Sequence, residues 1–482
     1  MNYSVVIYIL GWIMEIEAAF LALPGIVSAI YGEKGGFAFL WVALGSAVAG
    51  SAIILRKPKN MRFYLREGFV TVALSWILMS VIGCLPFVIN GDIPHFADAL
   101  FEMISGFTTT GATVVSDVEG LTKGSLFWRS FSHWIGGMGV LVFLLAIVPM
   151  AGGSHMNLMK AESPGPSVGK LVPKVRQTAK YLYIIYFALT MIEVIFLLFG
   201  GMNLFEALTT SFGTAGTGGF AIWNDGFVSV SPYNQWVVTI FMLLFGVNFG
   251  FYFLILTGKL RDALKFEEVR IYFIIVIAAA VFIFINLRYF ALYAPAEGIR
   301  QAFFQVASII TTTGFASADF NLWPETSRTI LVLLMFIGAC AGSTGGGIKV
   351  SRFIIACKSF IKEIISYLHP RSVKKIKIEG KPLEHETLRA TNVYFMTYMV
   401  IFAVSVLLVS IENKDLVTNF AAVAATFNNI GPGLSLVGPM ANFGHFTDFT
   451  KYILMFDMLA GRLEIFPMML LFCPAVWKRR RA

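Results

Sequence analysis

The chain has 482 residues, of which 57% are hydrophobic and 13% carry a charge, and its formal net charge is +9. Because a soluble domain carries about 25% charged residues, this composition excludes an ordinary soluble protein and predicts an integral membrane protein. The basic residues cluster between hydrophobic runs, so membrane topology accounts for the positive charge better than a nucleic-acid surface does.

Ten hydrophobic runs are long enough to cross a bilayer as helices, for which about 20 apolar residues suffice. The first run lacks a basic n-region and a small-residue cleavage site, so we expect it to stay in place as a span and not to be removed as a signal peptide. The predicted spans are 4–31, 36–55, 69–90, 126–150, 181–200, 235–258, 271–292, 327–357, 391–411 and 450–475.

Four shorter hydrophobic segments lie between these spans and cannot cross a bilayer. Each is enclosed by one pair of the last eight spans, which indicates a unit that occurs four times. We predict re-entrant helices, which are tolerated where protein or water covers their backbone ends. The segments are 96–107, 203–213, 298–310 and 416–427.

A run of small, mostly polar residues with a glycine near its end follows each short segment, and these glycines recur at intervals of roughly a hundred residues. A filter of the K⁺-channel type replaces the hydration shell of an ion with carbonyl oxygens from four loops, and glycine can adopt the positive φ that such a loop needs. The alternative is an ordinary turn at each place. The predicted filter residues are Thr109, Thr110, Gly111, Thr217, Gly218, Gly219, Thr312, Thr313, Gly314, Asn429, Ile430 and Gly431.

The sequence AGSTGGG interrupts the predicted eighth span and would break its helix within the membrane. Such a break is tolerated where it lines a cavity, so we predict an intramembrane loop below the filter that obstructs the pore. The alternative is a glycine-rich cytoplasmic turn between two short helices. A phosphate-binding loop is excluded because Ile348 stands where that motif needs lysine. The predicted gate residues are Ala341, Gly342, Ser343, Thr344, Gly345, Gly346 and Gly347.

Arg462 lies inside the predicted last span, and a charge at that depth is a functional candidate. Facing the pore, it would repel a cation and set a barrier. The alternative is a structural ion pair with Glu464 or Asp457.

Three glutamates, Glu102, Glu206 and Glu297, lie in or beside the re-entrant segments. We interpret them as acidic groups that raise the cation concentration near the mouth of the pore. The four cysteines form no CxxC pair and the six histidines show no metal-ligand spacing, so we expect neither a disulfide framework nor a metal site.

The basic residues also predict the orientation of the chain. All the basic segments fall on one side of the predicted spans, so the positive-inside rule places both termini in the cytoplasm and the re-entrant segments at the outer face. The segments 160–176 and 358–389 are candidates for docking a soluble partner or anionic lipid headgroups. The basic segments are 56–66, 151–180, 259–270, 358–389 and 478–481.

Eight motifs spread over nearly the whole chain belong together in one family. On these motifs the chain resembles the TrkH/TrkG potassium-uptake proteins of the Trk/Ktr/HKT superfamily, and its two additional N-terminal helices are closer to TrkH than to the shorter KtrB branch. The motifs are FTTTGAT (107–113), HWIGGMGVLVF (133–143), KAESPGP (160–166), GTGGFA (216–221), TTTGFAS (311–317), CAGSTGGGIKV (340–350), NNIGPGLS (428–435) and GRLEIF (461–466).

The resemblance implies an all-α integral membrane protein with four helix–pore loop–helix repeats around one pore and two extra N-terminal transmembrane helices. It implies that the four glycines shape the filter, that 341–348 is the gating loop and that Arg462 lies near it. Gly218 stands where the family commonly has threonine or asparagine. The expected divisions are 1–66 for the N-terminal helices and 67–165, 166–262, 263–372 and 373–482 for the four repeats, the third containing the gating loop.

The resemblance further implies a homodimer in a bacterial-type inner membrane and a cytosolic nucleotide-binding ring of the TrkA type as a partner. The expected function is K⁺-selective permeation, with K⁺ as the transported ion, no organic cofactor in this chain and no nucleic-acid partner. The alternative is a Na⁺- or H⁺-coupled secondary transporter, which would show inverted repeats and paired broken helices, whereas the sequence indicates parallel repeats and one broken helix. An enzyme is not expected, because no nucleophile–base constellation occurs at membrane depth.

Overall fold

The computed structural model of the protein describes residues 1–33, 35–59, 64–147, 175–369 and 375–478. The motif at 160–166, the boundary between the first two repeats and the basic tail at 479–481 therefore lie outside the described residues. The described residues are almost entirely helical. Their one sheet is a hairpin of β1 (Lys377–Ile378) and β2 (Lys381–Pro382), in which Lys377 is opposite Pro382.

Two long N-terminal helices, α1 (Tyr3–Ile30) and α2 (Gly36–Ile54), form an antiparallel pair, and α1 also packs on the first repeat. Small residues allow the close approach of this pair. A Cβ on Gly50 would come within 2.9 Å of the carbonyl oxygen of Gly11. Helices in a membrane associate through such backbone contacts because lipid gives no hydrophobic reason to pair.

The rest of the chain forms four units, each with a long helix, a short buried helix and a second helical segment. The first unit contains α3 (Leu65–Asn90), α4 (Phe96–Phe107) and α5 (Lys123–Ile147). The second contains α6 (Val175–Phe199), α7 (Leu204–Gly216), α8 (Pro232–Phe245) and α9 (Phe249–Leu256), and α10 (Leu260–Ala263) follows it. The third contains α11 (Glu267–Tyr289), α12 (Pro295–Ile310), α13 (Glu325–Met335) and α14 (Val350–Leu368). The fourth contains α15 (His385–Val409), α16 (Leu416–Phe427), α17 (Asp448–Arg462), α18 (Phe466–Leu471) and α19 (Pro474–Trp477). Short 3₁₀ turns lie at Phe320–Leu322, Ser410–Glu412 and Ser435–Val437.

Within the described residues, six helices are long and apolar enough to cross a membrane, or seven if α8 and α9, which are bent by 88°, count as one span. The sequence predicted ten spans, of which only the eighth was interrupted. For the sixth and tenth spans the prediction of a continuous helix was wrong. The sixth span breaks between Phe245 and Phe249, and the tenth breaks between Arg462 and Phe466, where Glu464 and Ile465 have φ values of 57° and 69°.

The short buried helices α4, α7, α12 and α16 occupy the re-entrant segments predicted from the sequence. Polar residues at their start explain where two of them begin. The side chain of Asn203 accepts a hydrogen bond from the amide of Glu206, and the carboxylate of Glu206 accepts one from the amide of Asn203, which is a capping box. Asp415 caps α16 by accepting from the amide of Thr418 at 2.9 Å. All four helices end at the centre of the molecule with their carbonyl ends directed at the candidate site.

Candidate functional site

The four short helices end in the same backbone conformation. One residue in each loop has a left-handed φ, and the glycine two positions later has one as well. The first positions are Thr109, Thr217, Thr312 and Asn429, with φ values of 54°, 54°, 58° and 55°, and the second are Gly111, Gly219, Gly314 and Gly431, with 77°, 81°, 85° and 97°. A left-handed φ is a real outlier for a β-branched residue. Its recurrence at three threonines indicates that the surrounding structure imposes it.

Two hydrogen bonds tie each loop to its own helix. In the first loop the amide of Thr109 donates to Gly106 at 3.1 Å and the amide of Thr110 donates to Ser105 at 2.9 Å, and the other three loops repeat both bonds. This Schellman pattern uses the amides of the loop. Among the described residues, no donor bonds the carbonyl oxygens of 109–111, 217–219, 312–314 or 429–431. Buried carbonyl oxygens without donors are costly, and a bound cation is the partner that they suit.

The four loops form a closed ring in chain order. A Cβ on Gly111 would overlap the carbonyl oxygen of Gly218, one on Gly219 that of Thr313, and one on Gly314 that of Ile430. A Cβ on Gly431 would come within 2.7 Å of the carbonyl oxygen of Thr110, which returns to the first loop. Each loop therefore presents a carbonyl to its neighbour's glycine, and one chain completes the ring.

A cavity of about 130 Å³ lies beside this ring. It is lined by all four glycines and by the residues that follow them, so it adjoins the C-terminal end of each loop. These residues are Ala112, Phe220, Phe315 and Pro432.

Side-chain oxygens gather at the opposite end of the ring, where Thr109, Thr217, Thr312 and Asn429 are fully buried. Asn429 donates to the hydroxyl of Thr110 at 3.0 Å and to the carbonyl of Met458 at 2.8 Å. Among the described residues, neither Oδ1 of Asn429 nor Oγ1 of Thr109 has a hydrogen-bond partner. These two oxygen atoms are therefore available as ligands at this end of the ring.

The interrupted segment between α13 and α14 lies directly against that end of the ring. The amide of Gly346 donates to Oγ1 of Thr312 at 2.7 Å. A Cβ on Gly345 would lie 3.1 Å from the carbonyl oxygen of Thr311, and one on Gly346 would lie 2.6 Å from Cβ of Asn429. Only glycine allows so close an approach. The segment is mostly buried, which favours the predicted loop below the filter over a cytoplasmic turn between two short helices.

The break in the sixth span receives this segment. The amide of Phe249 donates to Gly342 at 3.0 Å, and the amide of Cys340 donates to Gly246 at 3.1 Å. The hydroxyl of Thr344 donates to the carbonyl of Phe245 at 3.3 Å. Backbone groups released by a broken helix need protein partners in a membrane, and the two broken spans supply them to each other.

The guanidinium of Arg462 bridges this loop and the first repeat. Its Nη1 donates to the carbonyl of Thr344 and its Nη2 to the carbonyl of Gly136, both at 2.7 Å. The alternative ion pair of Arg462 was wrong. Glu464 is paired with Arg352, and Asp457 accepts from the hydroxyl of Ser405 at 2.7 Å.

Glu102 is also placed differently from the expectation of a charge at the mouth. It is 1% exposed, and its Oε1 lies 2.7 Å from Nη2 of Arg129. It also accepts from the amide of Val114 at 3.0 Å and from the hydroxyl of Thr113. Glu102 therefore supports the chain that leaves the first filter loop.

Sequence reasoning missed two buried residues of the site. His133 accepts at Nε2 from the amide of Phe220 at 3.2 Å, and its Nδ1 lies 2.7 Å from the carbonyl of Gly106. A Cβ at position 218 would overlap its ring, which explains the glycine at Gly218. Lys349 directs its ammonium to the carbonyl of Gly345. Both residues had a signal in the sequence, since His133 is the first residue of the motif at 133–143 and Lys349 lies two positions after the glycine run in the motif at 340–350.

His95, Asp98 and Asp448 come together although the histidines show no metal-ligand spacing in the sequence. The ammonium of Lys451 lies 2.5 Å from Asp98. A cationic group therefore already pairs with one of the two carboxylates of this cluster. The cysteines among the described residues are all free, in agreement with the sequence.

A family model described as TrkH, cation transport protein, matches residues 37–479. The chain belongs to the TrkH family. The Trk system potassium uptake protein TrkH of Escherichia coli (strain K12) is 36% identical over 99% of this chain and 100% of its own length. The TrkG protein of the same organism is 31% identical over 99% of this chain and 99% of its own. The crystal structure of the potassium transporter TrkH from Vibrio parahaemolyticus matches with a TM-score of 0.88 at 33% identity, over 99% of this chain and 100% of that one. The expected family and the all-α membrane fold are thereby confirmed.

Proposed function

We propose that this protein takes up K⁺ through a pore at the centre of its four repeats. The observation that carries the proposal is the closed ring of four loops, which share one backbone conformation and whose carbonyl oxygens accept no hydrogen bond from the described residues. Such a ring replaces the water oxygens around an ion. The relatives over the full chain are named potassium uptake proteins, which supports K⁺ as the ion and transport rather than enzymatic chemistry.

In this proposal the filter consists of the residues at 109–111, 217–219, 312–314 and 429–431. Thr109, Thr217, Thr312 and Asn429 add side-chain oxygens at its inner end. The C-terminal ends of four helices converge on the ring, and their partial negative charges favour a cation there.

The loop at 341–347 is proposed as the gate, with Arg462 as its latch. The loop lies across the inner end of two filter loops, and Arg462 holds the carbonyl of Thr344. A guanidinium without a carboxylate partner also opposes the entry of a cation. Closure is therefore both steric and electrostatic.

The proposed setting is a bacterial-type inner membrane with both termini in the cytoplasm. The basic segments support this orientation. A homodimer and a cytosolic TrkA-type nucleotide-binding ring complete the proposed assembly, with 358–389 as a docking segment. The relatives are named components of a "Trk system", which fits a protein with partners. The five divisions predicted from the sequence would be two N-terminal helices and one repeat for each quarter of the pore.

The decisive experiment is ion flux in proteoliposomes of purified protein, with K⁺ and Na⁺ gradients imposed separately. We expect flux down the K⁺ gradient that greatly exceeds flux down an equal Na⁺ gradient. Equal K⁺ and Na⁺ flux through folded protein would contradict the proposed filter.

A coupled transporter is the second candidate, and two observations favour testing it. Three spans are broken instead of the one that the sequence indicated. In addition, Glu17, Glu193 and Asp457 are buried and each has a carboxylate oxygen without a partner among the described residues. A pH or Na⁺ gradient imposed on the same liposomes at equal K⁺ concentrations separates the two, since only a coupled transporter would then accumulate K⁺.

A further inference from the structure

The two ends of the gate loop meet at one carboxylate oxygen. Oε1 of Glu268, in the first turn of α11, accepts from the amide of Ala341 at 2.7 Å and from the amide of Ser351 at 3.0 Å. Ala341 opens the glycine-rich loop, and Ser351 lies in the first turn of the helix that follows it. One carboxylate oxygen therefore holds the residues on either side of this segment close together.

This oxygen also replaces a missing helix cap. The residue before α14 is Lys349, which has a φ of 78° and makes no side-chain cap hydrogen bond. The first amides of a helix have no partner within it, and the positive end of the helix dipole favours an anion. Glu268 meets both needs from another helix.

The environment of Glu268 indicates that this contact is its main interaction. Glu268 is buried, with 5% of its surface exposed. Within the described part of the chain, no basic side chain forms a salt bridge with its carboxylate at 4.0 Å or less. A buried carboxylate needs hydrogen bonds, and here backbone amides of the gate segment supply them.

We propose that Glu268 is a positioning residue that holds both ends of the gate loop and keeps it closed; the proposal rests on the proposed gate. Arg462 holds the middle of the loop at Thr344. Opening then requires that the loop leave Arg462 and that its ends separate at Glu268. Loss of the tie favours the open arrangement.

The neighbouring residue provides a matched control. Glu267 has the same charge and lies on the same helical turn, but its carboxylate lies 2.6 Å from Lys358 and accepts from the amide of Glu379 in the hairpin loop. Among the described residues, its carboxylate forms no hydrogen bond or ion pair with the gate segment. A general effect of removing a carboxylate from this turn would therefore appear in both variants, whereas an effect on the loop would appear only for Glu268.

The test compares Glu268→Met, Glu268→Gln and Glu267→Gln for K⁺ flux into proteoliposomes without a partner protein. Methionine keeps the length of the side chain and removes the acceptor. We expect Glu268→Met to raise flux by on the order of tenfold, which is the factor for one charge-assisted hydrogen bond. Glutamine keeps a neutral acceptor, so a smaller rise is expected, and Glu267→Gln should equal the unaltered protein. Unchanged or reduced flux in folded Glu268→Met, under conditions in which Arg462→Ala raises flux, would overturn the proposal.

A second readout follows the loop itself. In protein whose native cysteines are replaced, Ser343→Cys reports access to the loop through its rate of modification by a charged thiol reagent. We expect Glu268→Met to increase this rate and leave the K⁺/Na⁺ flux ratio unchanged. If the methionine variant is not recovered folded, hydrogen exchange in Glu268→Gln decides: faster exchange at Ala341 and Ser351 supports the tie, and equal exchange rejects it.

Flux through Arg462→Ala distinguishes a failure of the proposed gate from a failure of the proposed role of Glu268. If it raises flux and Glu268→Met does not, the gate stands and the tie at Glu268 falls. If neither raises flux, the gate falls, and the modification rate at Ser343→Cys alone decides whether Glu268 fixes the loop.

Discussion

Two constraints favour glycine at each position of the proposed filter: the backbone has a positive φ, and a Cβ would lie too close to the neighbouring loop. Gly111 has a φ of 77°, and a Cβ there would overlap the carbonyl oxygen of Gly218. A non-glycine residue in that conformation costs about 1–3 kcal/mol. The clash adds a displacement of an oxygen in the neighbouring loop. A substitution at one loop therefore distorts two.

The first prediction concerns Gly111→Ser. The added Cβ pushes the Gly218 carbonyl away from its place in the ring, so the ring loses its uniform spacing. We expect the Na⁺/K⁺ permeability ratio to rise by at least severalfold in proteoliposome flux. Gly45→Ser is the control, because a Cβ there meets no atom within 4 Å. An unchanged ratio in folded Gly111→Ser would show that this glycine does not shape the filter.

Arg462 and the glycine run are both proposed to keep the gate closed, so variants of either one should have the same effect on ion uptake. Removing either the guanidinium or residues 345–347 frees the loop from its position under Thr312. We expect Arg462→Ala and the deletion of Gly345–Gly347 each to raise partner-free K⁺ or ⁸⁶Rb⁺ uptake by on the order of tenfold, with selectivity unchanged. The double variant should show little more, since coupled changes are not additive.

A matched arginine serves as the control for this cycle. Arg288 also donates to a backbone carbonyl, that of Tyr293 at 2.9 Å, but far from the loop in sequence and outside the site. Arg288→Ala should leave uptake unchanged. Wild-type uptake in a folded deletion variant would return the loop to a purely structural role.

The fourth short helix carries a pH-dependent cap. The hydroxyl and amide of Thr418 donate to Asp415 and hold the pKa of its carboxyl below the ordinary value of 3.8. Because the folded-state pKa is the lower one, the stabilisation is fully present above pH 3.8 and is lost as the pH falls through the folded-state pKa.

We therefore expect Asp415→Ala to lower the thermal stability of purified protein at pH 7 by about 1 kcal/mol, and the difference from wild type to shrink below pH 3.8. Ser231→Ala removes a cap that does not titrate, since Ser231 accepts from the amide of Asn234 at 3.3 Å. Its effect should not change with pH in this way. An Asp415→Ala difference that is equal at both pH values would reject the titrating cap.

The sequence sufficed for the elements that repeat and failed for those that depend on distant partners. Four runs of similar composition after four short apolar segments predicted the short helices and the four glycines that share a left-handed φ, because local chemistry determines both. The break of the sixth span was not apparent, since its cause is the backbone of 340–344, almost a hundred residues away. For the same reason the sequence could not decide whether Arg462 faces the pore or forms an ion pair with Glu464 or Asp457.

At the scale of the whole molecule, a soluble partner is the natural regulator, because this chain has only short segments on its proposed cytoplasmic face. We expect a separate subunit to co-purify from the native host and to bind through 358–389. Charge reversal at Lys374, Lys375 and Lys377 should weaken this binding by at least tenfold; Lys374 lies outside the described residues. Reversal of Arg56, Lys57 and Lys59 is the control of equal charge. Binding that survives the first set unchanged would place docking elsewhere.

Because one chain forms the whole ring, a single mutation changes only one of its four loops. In a pore built from four copies of a subunit, one codon change alters every quarter of the wall together. Here each quarter has its own codons, so Gly111, Gly219, Gly314 and Gly431 can be varied separately. Ion selectivity can therefore evolve by substitutions in one loop at a time, while the other three loops keep their sequence.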